Sequence, residues 1–155
     1  MVIAMPNILI KIPQGAFNAQ QRERMLHEVT QVALDVEQIG QDPRQRALCW
    51  VLLEELAPGT WRCGGADLGA QALSCLVQVK VPAGVLDSAR RQAYVAGLHQ
   101  ALAACRPAED GRLLMTSILL DEVPDGTWGA NGTLWHLADF TRAAGYRHLS
   151  PANGQ

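Results

Sequence analysis

The chain has 155 residues, a formal net charge of −2, 48% hydrophobic residues and only 18% charged ones. That is one domain's length, and without a Lys/Arg run it lacks the electrostatic footprint of a nucleic-acid or anionic-membrane binder. No apolar stretch approaches the ~18 residues of a bilayer span, and Met1-Val2-Ile3-Ala4-Met5 has neither the basic nor the full apolar region of a signal peptide.

A cytoplasmic protein is therefore expected. Its charge content, below the roughly 25% of ordinary domains, points to apolar area covered at a subunit interface. Ile8-Leu9-Ile10-Lys11-Ile12 is a β-branched run closed by Pro13 and Gly15, and predicts a strand. Asn18 and Gln21 have the spacing of a capping box. Behind them Met25, Leu26, Val29, Val32, Ala33 and Val36 form one stripe of a helix, with Gly40 as its expected stop. The uninterrupted apolar run 48–53 predicts a strand buried on both faces. Strand, helix and strand with so long a connection imply a parallel pair with a right-handed crossover.

The same signs then recur. Residues 76–81 predict a strand, Asp87 a cap, and Tyr94, Val95, Leu98, Ala101, Leu102 and Cys105 repeat the helical stripe. Pro107 ends that helix and residues 113–120 predict the closing strand. Residues 133–144 predict a short helix stopped by Gly145, followed by a frayed tail.

The repetition extends to the letters. Pro6-Asn7-Ile8-Leu9-Ile10-Lys11-Ile12-Pro13 aligns with Cys75-Leu76-Val77-Gln78-Val79-Lys80-Val81-Pro82, and Glu55 to Trp61 aligns with Glu122 to Trp128. Two copies of such length read as a fused pair of βαβ units rather than a solenoid. The division expected is an extension (1–5), a first unit (6–65), a linker (66–73), a second unit (74–132) and a C-terminal helix and tail (133–155). The fold class is α/β (α+β), in the order β-α-β-β-α-β. It forms one four-stranded sheet with both helices on one face, leaving the other face to be covered by association.

The four cysteines, Cys49, Cys63, Cys75 and Cys105, form no CxxC pair and are read as reduced thiols. His27, His99, His136 and His148 have no metal-ligand spacing, so neither a metal nor a cofactor is expected. Gly64-Gly65 followed by Gly69 lacks the Lys-Ser/Thr of a phosphate loop.

Met5-Pro6 leading into the strand, the Pro/Gly break, the amphipathic helix, and a second strand ending in Glu-Leu-Ala-Pro-Gly-Thr-Trp before Gly64-Gly65 resemble the tautomerase superfamily. Its prototype is 4-oxalocrotonate tautomerase, and the two-copy form resembles its fused branch. The resemblance implies a homotrimer and proton transfer on a small unsaturated or 2-oxo carboxylic acid. An amino-terminal proline, exposed by methionine removal, acts as the base. An α-amino group starts near a pKa of about 7.7–8.0, close to the value that serves a general base at neutral pH.

Two departures follow from the residues. Pro6 is preceded by residues 1–5, and inside a chain its nitrogen is an amide with no basicity. The family's carboxylate-binding arginines are replaced by Ala16 or Phe17 and Val85, and by Trp50 and Ser117. By the resemblance Trp61 and Trp128 are candidates for the aromatic wall, the alternative being that each covers a hairpin, and Arg46 and Arg112, before the second strand of each unit, are candidate carboxylate clamps. Arg62 adjoins Trp61. Cys75 stands where the second copy would carry its proline, either as a thiol nucleophile or as a packed strand residue. Two readings stay open: an isomerase acting through Pro6 once it is amino-terminal, or a silent member kept as a binding scaffold.

Overall fold

The computed structural model describes residues 5–150. Strand β1 (Asn7–Pro13) is followed by helix α1 (Ala19–Val36), the short α2 (Pro43–Arg46) and β2 (Trp50–Leu56). The second unit runs β3 (Ala72–Pro82), α3 (Ser88–Cys105) and β4 (Leu113–Val123), followed by a small hairpin, β5 (Trp128–Ala130) and β6 (Thr133–Trp135), and by α4 (Leu137–Ala144). The sheet order is β2-β1-β3-β4; β1 and β3 run antiparallel, and each is parallel to the outer strand of its own unit.

Both long helices start where their side chains prescribe. Asn18 Oδ1 accepts from Gln21 N–H and Gln21 Oε1 from Asn18 N–H, each at 2.8 Å, which satisfies two orphan donors. Asp87 Oδ1 caps α3 by accepting from Arg90 N–H at 2.8 Å. The stop of α1 differs from expectation. The helix is capped at Glu37, and Gln38 takes the positive φ of 56° that ends it. Gly40 serves packing instead, because a Cβ there would lie 1.8 Å from Gln45 Oε1.

The core lies between the sheet and the helix pair. Ile8, Ile10 and Ile12 alternate inward from β1, Leu73, Cys75, Val77, Val79 and Val81 from β3, and Met25, Val29 and Ala33 face them from α1. Each such aliphatic side chain withdrawn from water contributes roughly 1.5–3 kcal/mol. The helices approach closely at Gly97, where an added Cβ would meet Val32 Cγ1 at 2.9 Å.

Within one chain the outer strands follow from the expected placement of both helices on one face. Neither is buried on both faces within one chain, because α1 and α3 cover one face of the sheet only. In β2 and β4 exposure alternates, leaving Trp50 (48%), Leu52 (49%), Leu113 (67%), Met115 (44%) and Leu119 (49%) open on the far face. On the expected stripe of α3, Val95 is likewise exposed rather than buried.

The duplication persists in side-chain contacts. Lys11 pairs with Glu54 at 3.6 Å and Lys80 with Asp121 at 2.5 Å, on registered neighbours of each parallel pair. Arg22 reaches Glu55 at 3.4 Å and Arg91 reaches Glu122 at 2.8 Å, from helix to outer strand in each unit.

The C-terminal segment departs further. Residues 133–135 form a strand turned by Asn131 (φ 51°) and Gly132 (φ 82°), so the last helix starts at Leu137. The tail is packed as far as it is described. Tyr146 is fully buried, Arg147 N–H donates to Gln38 O at 3.0 Å, and His148 Nε2 lies 2.7 Å from Val85 O. Residues 151–155 of that tail, and 1–4 of the extension, lie outside the described residues.

Candidate functional site

The near-twofold relation between the copies gives the sheet two comparable ends. At one, β1 begins while β3 and β4 finish; at the other, β1 and β2 finish while β3 and β4 begin.

The second end holds an open cavity of about 400 Å³, walled by Trp61, Leu56, Gly69, Ser74 and Arg112. Gly64 and Gly65 (φ 59° and 83°) turn a tight bridge between Cys63 and Ala66 that frames its mouth. Arg112 is not a free clamp, contrary to expectation. Its Nε and Nη2 meet Asp110 at 2.9 and 2.6 Å, and Nη1 donates to Gly69 O at 3.1 Å. That fork holds the Asp110 carboxyl down at about 2, leaving a neutralised pair. Cys75 is 1% exposed, and burial, only partly offset by Arg112, pushes its thiol up to about 12. A thiol held protonated is a poor nucleophile at neutral pH, so the packed reading of Cys75 prevails.

Pro6 lies at the first end and is buried. Trp50 N–H donates to Pro6 O at 2.9 Å, and Met5 N–H to Leu48 O at 2.5 Å, so Met5-Pro6 extends the ladder alongside Cys49. Met5 is fully buried, and Tyr146 OH donates to its sulfur at 3.1 Å. Trp128 packs edge-on to Phe140 of α4, with ring centroids 5.4 Å apart. The C-terminal segment thus closes over this end.

Behind Met5 sits a polar cluster missed by the sequence reading. Glu37 is fully buried; Tyr94 OH donates to its Oε2 at 2.5 Å, and Oε1 has no partner within hydrogen-bonding geometry. Burial raises its carboxyl to about 8, with the hydroxyls of Tyr94 and Tyr146 opposing that rise. The same burial, and the charge of Glu37, drive the Tyr94 and Tyr146 hydroxyls well above their usual range. Cys49 is pushed up to about 12 by burial first and by Glu37 second, with Arg46 opposing. One signal was available: Glu37 continues the row Met25, Val29, Ala33 at four-residue steps, a buried row by the helical period.

The remaining candidates are dispersed. Arg46 closes α2 and donates to Gln41 Oε1 at 3.2 Å, and Arg62 donates to Gly59 O at 3.1 Å. Trp50 and Ser117 are exposed on the open sheet face; Trp50 starts β2 beside Pro6 at the first end, whereas Ser117 lies mid-strand in β4. Among the described residues, no three His, Cys, Asp or Glu side chains are grouped to hold a metal.

No protein-family model and no curated protein matches the sequence. Solved structures do match in fold. A native fused 4-oxalocrotonate tautomerase (4-OT) superposes with a TM-score of 0.68 at 19% identity, over 83% of this chain and 95% of the other. The chain has the fused tautomerase fold. A second such neighbour, the Q0 fused 4-OT symmetric trimer, has a TM-score of 0.67 at 23% identity over 90% of this chain and 99% of its own. N1, of the cis-3-chloroacrylic acid dehalogenase family, has a TM-score of 0.64 at 16% identity over 83% and 82%. Pro6 immediately precedes β1, whereas Cys75 lies inside β3, three residues after its start at Ala72. Among the described residues, no helix is long and apolar enough to cross a membrane.

Proposed function

We propose that this tautomerase-fold chain moves a proton between oxygen and carbon of a small unsaturated or 2-oxo carboxylic acid in the form that begins at Pro6. The form carrying residues 1–5 is silent. The observation behind this reading is the state of one nitrogen. Met5 acylates Pro6, and Met5 is itself buried under Tyr146. An amide nitrogen neither takes nor gives a proton at physiological pH, whereas a free secondary amine does both. Trp128 supplies an aromatic wall at this end. The apolar open face, together with neighbours described as fused 4-OT trimers, supports a homotrimer in which Trp50 and Ser117 are covered.

The test compares two chains, one starting at Met1 and one starting at Pro6 after removal of Met5, each verified by intact mass. Both are assayed on 2-hydroxymuconate and on the enol of phenylpyruvate. Turnover is expected only from the chain starting at Pro6, and is lost in Pro6→Ala. Proline-dependent turnover in molecules still bearing residues 1–5 would falsify the reading.

A second reading is favoured by one observation. The family's arginine positions are vacant and Arg112 is spent on Asp110, which suits a scaffold that binds a ligand in the Trp61 cavity without turning it over. Absence of turnover from both chains, with saturable quenching of Trp61 fluorescence by a small carboxylate, is its expected signature.

A further inference from the structure

We propose that Glu37 is a positioning residue for Pro6: in the chain that begins at Pro6, its carboxylate is the counter-charge to the proline ammonium, across the space that the Met5 side chain fills here. This deepens the reading above and rests on it. The geometry is continuous. Met5 adjoins Pro6 covalently, its sulfur meets the Tyr146 hydroxyl at 3.1 Å, and Tyr146 borders Glu37, whose Oε1 is buried and without a partner. On the other side Cys49 sits between the two residues hydrogen-bonded to Met5 and Pro6, and it too feels the charge of Glu37.

A buried carboxyl with one oxygen unpaired carries a desolvation cost that the Tyr94 and Tyr146 hydroxyls offset only in part. Removing Met5 introduces an ammonium at Pro6 and vacates the side-chain space against Tyr146, the residue that borders Glu37. An opposite charge at such range favours the charged form of both groups. The titratable and charged groups around the pair are Tyr94 from α3, Tyr146 beyond α4, Cys49 before β2 and Arg46 at the end of α2. Arg46 is the one cation among them.

The chemistry balances simply. The proline nitrogen takes a proton from the enol hydroxyl of the substrate and returns it to carbon, with Glu37 setting how readily the nitrogen holds that proton. The Tyr146 hydroxyl, released from the Met5 sulfur, faces the reacting space.

The experiment uses the full chain beginning at Pro6, labelled with ¹⁵N-proline, and follows the Pro6 nitrogen by NMR through a pH titration. Glu37→Gln is expected to lower the Pro6 midpoint by at least one pH unit, and to move the acidic limb of the kcat/KM profile with it. Glu37→Asp is expected to restore part of the shift. An unchanged midpoint in Glu37→Gln overturns the inference. Should Glu37→Gln fail to fold, Tyr146→Phe replaces it: a smaller drop in the same direction supports the role, and none overturns it. Because the nitrogen is read directly, a shifted midpoint without turnover sinks the proposed activity while leaving the Glu37 role standing.

Discussion

Tyr146 donates its hydroxyl hydrogen to the sulfur of Met5 at 3.1 Å, joining the end of the described chain to its beginning. Both side chains are fully buried, so the contact belongs to the core and not to a loose terminus.

Truncating Met5 tests that packing. In the chain starting at Met1, Met5→Ala removes a fully buried side chain and leaves a hole beneath Tyr146, at a cost of about 2–5 kcal/mol. Urea unfolding should show a lower midpoint with an unchanged slope. A change within experimental scatter would place Met5 outside the core.

Glu37 makes stability depend on pH. Its folded value of about 8 lies above the ordinary 4.5, so between those values the folded state keeps a proton that the unfolded chain releases. Stability is therefore full below about pH 4.5, falls as pH rises through about 8, and is flat above. The total loss is on the order of 5 kcal/mol. Thermal unfolding of Glu37→Gln over the same range should lack most of this slope.

The fold itself was largely readable from the residues, and the site was not. Strands β1 and β3, both capping residues and the two helices follow from periodicity and short-range chemistry that a single sequence displays. The outer strands were readable as apolar runs, but a run alone does not say which of its residues face outward. Only the one-sided placement of α1 and α3 reveals that Trp50 and Leu52 face outward. Glu37 is a charged residue at a helix end, where exposure is the rule, although it falls on the buried row of Met25, Val29 and Ala33. Its partners Tyr94 and Tyr146 lie far away along the chain, and no spacing rule brings them together. Arg112, at the entrance to β4, has the charge and place of a carboxylate clamp, yet Asp110, two residues earlier, pairs with it.

Thiol reactivity separates the cysteines. Burial pushes Cys49 and Cys75 up to about 12, and Cys105 is raised and buried as well. With iodoacetamide at neutral pH, Cys63 is expected to be alkylated at least tenfold faster than the other three, as read by peptide mass mapping. Rapid loss of the Cys75 thiol from folded protein would restore it as a nucleophile.

The open sheet face predicts association. Leu52→Arg and Leu119→Asp place charges on side chains that are about half exposed in one chain, so the fold should be retained while the assembly separates. Analytical ultracentrifugation should report a trimer for the unaltered protein and a monomer for the double variant, with unchanged far-UV circular dichroism.

Capping can be tested without touching either end of the sheet. Asn18→Ala removes the acceptor for Gln21 N–H and should cost about 1 kcal/mol of unfolding free energy. Asn18→Asp should retain most of it.

The fusion of the two units has an architectural outcome visible in Tyr146. A segment leaving the second unit folds back onto Met5, ahead of β1, and among the described residues no counterpart segment folds onto the other end of the sheet. Separating the halves into two polypeptides would deprive the first of its roof while taking nothing comparable from the other. Two ends of the sheet that are alike in strand pairing are thus made unlike by one C-terminal segment.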